Sequence, residues 1–152
     1  MKIQNSFQML RSIIHFTINH QDENRSQKKS LSLKAWHKEY CTIKLYLPRR
    51  SGNTEAIKKM VKFIDRFELL HDPKCIVLCP NVCIGQSNYE YGKWKVLSPS
   101  KDLVTNEIEV SKHDLHDKEF VFVDNYYRAS KAQEERLYNN LTDKTQIIAL
   151  IQ

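Results

Sequence analysis

The sequence predicts an α/β protein whose sheet is mostly parallel and joined by crossover helices, and three observations carry that reading. Three short runs, Cys75 to Cys79 (CIVLC), Phe120 to Val123 (FVFV) and, after its leading glutamine, Gln146 to Ile151 (QIIALI), are uninterruptedly apolar, as strands covered on both faces are. A fourth strand-like segment, Cys41 to Leu47 (CTIKLYL), precedes them and is rich in β-branched and aromatic residues. The order strand, helix, strand, excursion, strand, helix, strand then leaves room for a crossover between successive strands. With 152 residues, 41% hydrophobic and 28% charged, the chain can bury one core, which excludes general disorder, a collagen-like repeat and a small disulfide scaffold.

Taken in order, Phe7, Leu10, Ile13, Ile14 and Thr17 fall at helical spacing and predict an amphipathic first helix over residues 6–18. Asn19 to Ser30 is wholly polar and reads as a linker or long loop. Residues 1–30 therefore form an N-terminal helix and linker, an appendage that docks on the domain or on a partner, and residues 31–152 form a single α/β domain. A short helix carrying Trp36 is expected over 31–39, and Pro48 closes the strand that follows. Ile57, Met60, Val61, Ile64 and Phe67 share one face of the next helix, Glu55 lies in its first turn, and Asp72-Pro73 ends it. Residues 85–106, with Gly85, Gly92, Trp94 and Pro99, read as a hairpin or irregular excursion, and 131–141 as a helix.

Lys plus Arg number 24 against 18 for Asp plus Glu, and the excess is uneven. Residues 1–100 hold 17 basic and 8 acidic groups, whereas residues 101–152 hold 7 and 10. A basic first part is compatible with nucleic acid, nucleotide phosphate or an acidic protein partner. No stretch approaches the roughly 18 apolar residues of a membrane helix, and the N-terminus lacks a secretory pattern, so the expectation is a cytoplasmic protein without membrane contact. Cys41, Cys75, Cys79 and Cys83 are then expected as free thiols.

The junction that could carry chemistry is Leu47-Pro48-Arg49-Arg50-Ser51-Gly52-Asn53-Thr54, where the first strand meets its helix. Such a turn aims backbone N–H groups and the positive end of the helix dipole at one spot, the geometry that holds phosphate. Here the sequence resembles the P-loop NTPases, in particular helicase-like and phage terminase-like ATPase cores. The resemblance implies a P-loop NTPase-like three-layer sandwich. It makes Ser51, Gly52, Asn53 and Thr54 the nucleotide-binding turn, with ATP and Mg2+ as ligands and Thr54 as the magnesium-binding hydroxyl. Phe120 to Asn125 resembles a Walker B strand, with Asp124 holding the metal through water. Cys75 to Asn81 resembles the second strand of helicase-like ATPases, and Thr145 to Gln152 the strand that carries a sensor or coupling motif.

Three positions depart from the pattern, the first being Leu47, which stands where the loop's first glycine is usual. Asn53 stands for the lysine that neutralises the phosphates, and Asn125 for the glutamate that orients the attacking water. Arg49 or Arg50 is left to compensate for the lost charge and to stabilise a transferred phosphate. The resemblance covers residues 40–152 and rests on the order of four motifs. The chain's length accommodates one nucleotide-fold core and a short appendage, not a two-domain motor. The resemblance implies a degenerate, phage-related ATPase-like protein, in the host cytoplasm if phage-encoded, that binds nucleotide or phosphate weakly and acts mainly through nucleic acid or protein.

Plainer readings stand beside these. The loop could be an ordinary strand-to-helix turn in which Ser51 or Asn53 caps the helix, and Asp124 could cap a turn. The C-x3-C-x3-C spacing of Cys75, Cys79 and Cys83 is one residue too long for the usual cluster loop, so buried thiols are expected. His113-Asp114-Leu115-His116-Asp117 reads as a solvated loop rather than a metal site. Lys58, Lys62 and Arg66 recur along one helix face and would meet nucleic acid phosphates, or simply water. Tyr126-Tyr127-Arg128 offers a stacking surface. The alternative function is a non-catalytic interaction protein or inhibitor that uses the fold only as a scaffold, with the apolar face of residues 7–17 or the Tyr126-Tyr127 region as its contact surface.

Overall fold

A computed structural model describes residues 2–46, 52–67, 70–97 and 108–152. Five strands form one all-parallel sheet: β1 (Thr42–Leu45), β2 (Cys75–Cys79), β3 (Lys95–Val96), β4 (Phe120–Val123) and β5 (Ile147–Ile151), in the spatial order β1-β5-β4-β2-β3. The register sets Thr42 beside Ile148, Val121 beside Ile148 and Ile76 beside Val121. β4 and β5 are the central strands, and every residue of β5 is buried, which is why its sequence runs apolar without alternation. β1 lies on the edge and alternates, with Ile43 and Leu45 inside and Lys44 exposed.

Helices cover both faces, giving the α/β architecture the sequence predicts. On one face α1 (Lys2–Glu23) and α4 (Asn53–Ile64) set Leu10, Ile14, Ile57 and Met60 against Ile43, Phe122, Ile147 and Ala149. On the other, Trp36 of α3 (Leu33–Trp36), Leu115 of α6 (Lys112–Leu115) and Leu137 and Tyr138 of α7 (Lys131–Asn140) meet Leu78, Val121, Ile148 and Leu150. A π-helical turn, His37–Cys41, joins α3 to β1.

The polar stretch Asn19–Ser30 differs from its reading as a linker. α1 continues through Glu23, and a further short helix, α2, spans Arg25–Lys28. Gln21 prolongs the buried stripe of Leu10 and Ile14 at helical spacing, and its Nε2 donates to the carbonyls of Tyr40 (3.0 Å) and Gln146 (2.7 Å). A buried amide satisfied in this way holds the helix down as an apolar side chain would, so α1 packs within the chain and its face over residues 7–17 is turned to the core.

α4 ends well before Asp72-Pro73. Asp65 follows it and turns its buried carboxylate to the N–H groups of Lys74 (2.7 Å) and Cys75 (3.2 Å), opening β2. The expected excursion instead begins with a helix, α5 (Val82–Asn88), whose first turn is capped by Asn81 Oδ1 accepting from Ile84 N–H at 3.0 Å. β3 then runs parallel to β2, so these two strands do not form a hairpin, and the rest of the excursion, from 98 on, lies outside the described residues. The expected solvated loop 113–117 is largely α6, fixed by a capping box of Ser111 and Asp114 and anchored by buried Leu115.

Candidate functional site at the carboxyl edge of the sheet

The carboxyl ends of β1, β5, β4 and β2 lie along one edge of a parallel sheet, where open α/β folds bind their ligands. Gly52 begins α4 with φ of +83°, a left-handed conformation that a residue without Cβ adopts at little cost, and its carbonyl accepts from Ala56 N–H at 2.8 Å. Gly52 offers no side chain of its own to cap the first turn. Asn53 follows, and its side-chain amide donates to the carbonyl of Gln152; Gln152 N–H in turn donates to Leu45 O at 3.0 Å. Asn53 therefore ties the start of α4 to the ends of β5 and β1.

Thr54 and Asp124, 70 residues apart in sequence, meet directly: Thr54 Oγ1 donates to Asp124 Oδ2 at 2.7 Å. Asp124 follows the last residue of β4 and is 2% exposed. A buried carboxylate needs partners, and among the described residues this one has three. Besides Thr54, Tyr89 OH donates to the same Oδ2 at 2.8 Å, and the backbone N–H of Asn125 donates to Oδ1 at 2.8 Å. Asn125 takes a left-handed conformation (φ +54°) that asparagine tolerates better than most residues. Burial, and after it the charge of Asp124, raises the Tyr89 phenol far above its ordinary range, so it stays a donor. The same two causes push the Cys79 thiol up to about 12.

Of the other site residues expected from sequence, Arg49, Arg50 and Ser51 lie outside the described residues. Lys58 pairs with Glu55 (3.2 Å) and stands over the Tyr89 ring, 5.4 Å from its centre, one helical turn beyond Thr54. Lys62 is exposed, while Arg66 donates to Phe63 O at 2.9 Å and stacks on Phe63 and Phe67. Tyr126 OH donates to Glu134 at 2.7 Å, and Tyr127 remains half-exposed beside Arg128.

Tyr89 escaped the sequence reading. It belongs to a segment without periodicity, and the one signal there is an aromatic residue just past a short polar run.

Among the described residues no group of three or more His, Cys, Asp or Glu side chains gathers in a way that could hold a metal. The four cysteines are free thiols, with Cys75 and Cys79 buried in β2 and Cys83 exposed on α5. One carboxylate and one hydroxyl suit a magnesium ion that arrives on phosphates and keeps most of its water, rather than an all-protein cage. No helix of the described residues is long and apolar enough to cross a membrane. No family model, curated protein or solved structure matches this chain.

Proposed function

We propose that the chain is a degenerate P-loop-like protein that binds a nucleotide or another phosphate at the start of α4, with Thr54 and Asp124 as the pair that would face a magnesium ion. The observation that carries this is the Thr54 to Asp124 hydrogen bond of 2.7 Å. A hydroxyl in the first turn of a helix that follows a parallel strand, touching an acid at the end of a second parallel strand, is the arrangement a magnesium-bearing phosphate needs. The strand order supports it, since β5 lies between β1 and β4 and brings Gln152, the residue that follows it, against Asn53. When bound, magnesium would neutralise phosphate charge that no lysine at position 53 supplies.

Binding rather than turnover is the better reading. The Asn53 amide is engaged with Gln152, and Asn125 carries no carboxylate to orient water. If hydrolysis occurs at all, Arg49 or Arg50 must stabilise the transferred phosphate. Calorimetric titration with ATP and magnesium tests the site on the wild type and on Asn53→Lys. Binding that strengthens in the variant is the expected result; no heat at millimolar nucleotide in either protein overturns the proposal.

A nucleic-acid contact is the second part of the reading, favoured by one surface feature. Arg11 of α1 (4.9 Å) and Arg66 (4.4 Å) both stand close to the Phe63 ring, with Phe16 exposed on α1 and Phe67 exposed just beyond the end of α4. Cations beside aromatic rings suit stacked bases and a phosphate backbone. An oligonucleotide should shift in a gel at low salt, less so for Lys62→Ala or Arg66→Ala, and progressively less as salt rises. Absence of both nucleotide and oligonucleotide binding would leave the scaffold-only interaction protein as the surviving reading.

A further inference from the structure

We infer that Tyr89 is a latch on Asp124, closing the carboxylate until a cation-bearing phosphate displaces the phenol. This rests on the phosphate-site reading above and adds a residue to which that reading assigns no part.

A carboxylate oxygen has two lone-pair directions, and Asp124 Oδ2 fills both, with Thr54 at 2.7 Å and Tyr89 at 2.8 Å. Oδ1 is taken on one side by the Asn125 backbone N–H, and at 2% exposure the group has no open approach for solvent. A hydrated cation placed beside Thr54 would need Asp124 to accept hydrogen bonds from its water. One present donor must therefore yield. Thr54 is itself the hydroxyl the cation would use, and Asn125 donates from the main chain. Tyr89 is the donor that can leave without dismantling the site.

The surroundings of Tyr89 suit such a movement. It ends α5, held there by its own N–H on Gly85 O at 2.9 Å. Immediately afterwards the chain makes an exposed turn, Glu90 to Lys93, in which Gly92 takes φ of +82° with nothing within 4 Å of where a Cβ would stand. Trp94 then anchors the segment again, buried against Gly85. The Tyr89 backbone thus sits between a fixed helix end and an open turn while its ring, 8% exposed, packs in the core, and Lys58, paired with Glu55, stands over that ring.

A merely structural tyrosine and a latch predict opposite signs. Tyr89→Phe keeps the ring and removes the hydroxyl. As a latch, its loss should tighten binding of ATP with magnesium by about three- to tenfold, the worth of one hydrogen bond, and leave binding of ATP in excess chelator unchanged. In the wild type, titration with ATP and magnesium should also alter the tyrosine ultraviolet difference spectrum, and the change should vanish in Tyr89→Phe. Equal or weaker magnesium-dependent binding by the variant, with the wild type binding ATP, overturns the latch and leaves the phosphate site standing. An unchanged wild-type tyrosine spectrum at saturation also overturns the latch, and it needs no variant to fold. Absence of ATP binding, with or without magnesium, in both the wild type and Asn53→Lys removes both proposals.

Discussion

Gly85 abuts the indole of Trp94 so closely that a Cβ built on the glycine would stand 2.1 Å from Trp94 Cε3. Trp94 is 6% exposed, so its ring cannot simply swing into solvent. Gly85→Ala should therefore destabilise the protein by about 1–3 kcal/mol, the usual cost of overpacking a filled core. The displacement should also reach Tyr89, whose amide hangs on the Gly85 carbonyl. Thermal unfolding checks the first expectation, and an unchanged midpoint would refute the contact.

The bond between Thr54 and Asp124 can be weighed without any ligand. Thr54→Val keeps the shape and removes the donor. Asp124→Asn sets an NH2 group, itself a donor, against either the two hydroxyls or the Asn125 N–H, so one side loses its acceptor. Each change is expected to cost about 1–3 kcal/mol in urea unfolding because the site is buried. Thr54 and Asp124 touch, so the two costs should fall short of additivity by about 0.5–3 kcal/mol in the double variant. Strict additivity would mean that the contact contributes nothing.

Much of this site is legible in sequence because a parallel sheet gathers its carboxyl ends on one edge. A threonine in the first turn of the helix that follows β1 and an aspartate just after β4 fall on that edge, and they touch. The strands β2, β4 and β5 read clearly for the same reason, since burial on both faces leaves uninterrupted apolar runs. What sequence did not reveal depends on single polar contacts. Gln21 looks like linker composition until its amide meets two carbonyls, and Asn53 looks like a damaged lysine position until its amide meets Gln152. Tyr89 and α5 stayed hidden because a short helix that packs through a glycine has no stripe to read.

The docking of α1 rests on Leu10 and Ile14, buried against the sheet and α4. Leu10→Ala should lower stability by about 2–5 kcal/mol, as for other fully buried leucines. If the helix were a detachable appendage, the substitution would leave the unfolding midpoint where it was.

Thiol labelling separates Cys83 from the other three cysteines. Cys41, Cys75 and Cys79 are buried, and burial pushes Cys41 and Cys79 to about 12, so they hold little reactive thiolate at mildly alkaline pH. One thiol should react quickly in the native protein and all four after denaturation. Rapid native labelling of two or more would contradict the burial of β2 and of the π-helical turn.

His37 should make the fold acid-sensitive. Its side chain is wholly buried in the π-helical turn, and neither ring nitrogen has a hydrogen-bond partner. Burial lowers its pKa from the ordinary 6.5, with Lys28 acting in the same direction; the nearby backbone of Thr145 and Thr142, outside hydrogen-bond geometry, and Asp143 oppose it. The folded protein thus binds the proton less readily than the unfolded chain. The favourable contribution is fully present above pH 6.5 and is lost as pH falls through the window between that value and the lowered one. Below it, folding must either bury an unpaired cation or open the turn that leads into β1. Urea midpoints across this range should decline more steeply for the wild type than for His37→Leu, which keeps the site apolar and does not titrate. Equal slopes would assign the acid sensitivity to carboxylates elsewhere, whereas a flatter variant would place it at the junction of α3 and β1.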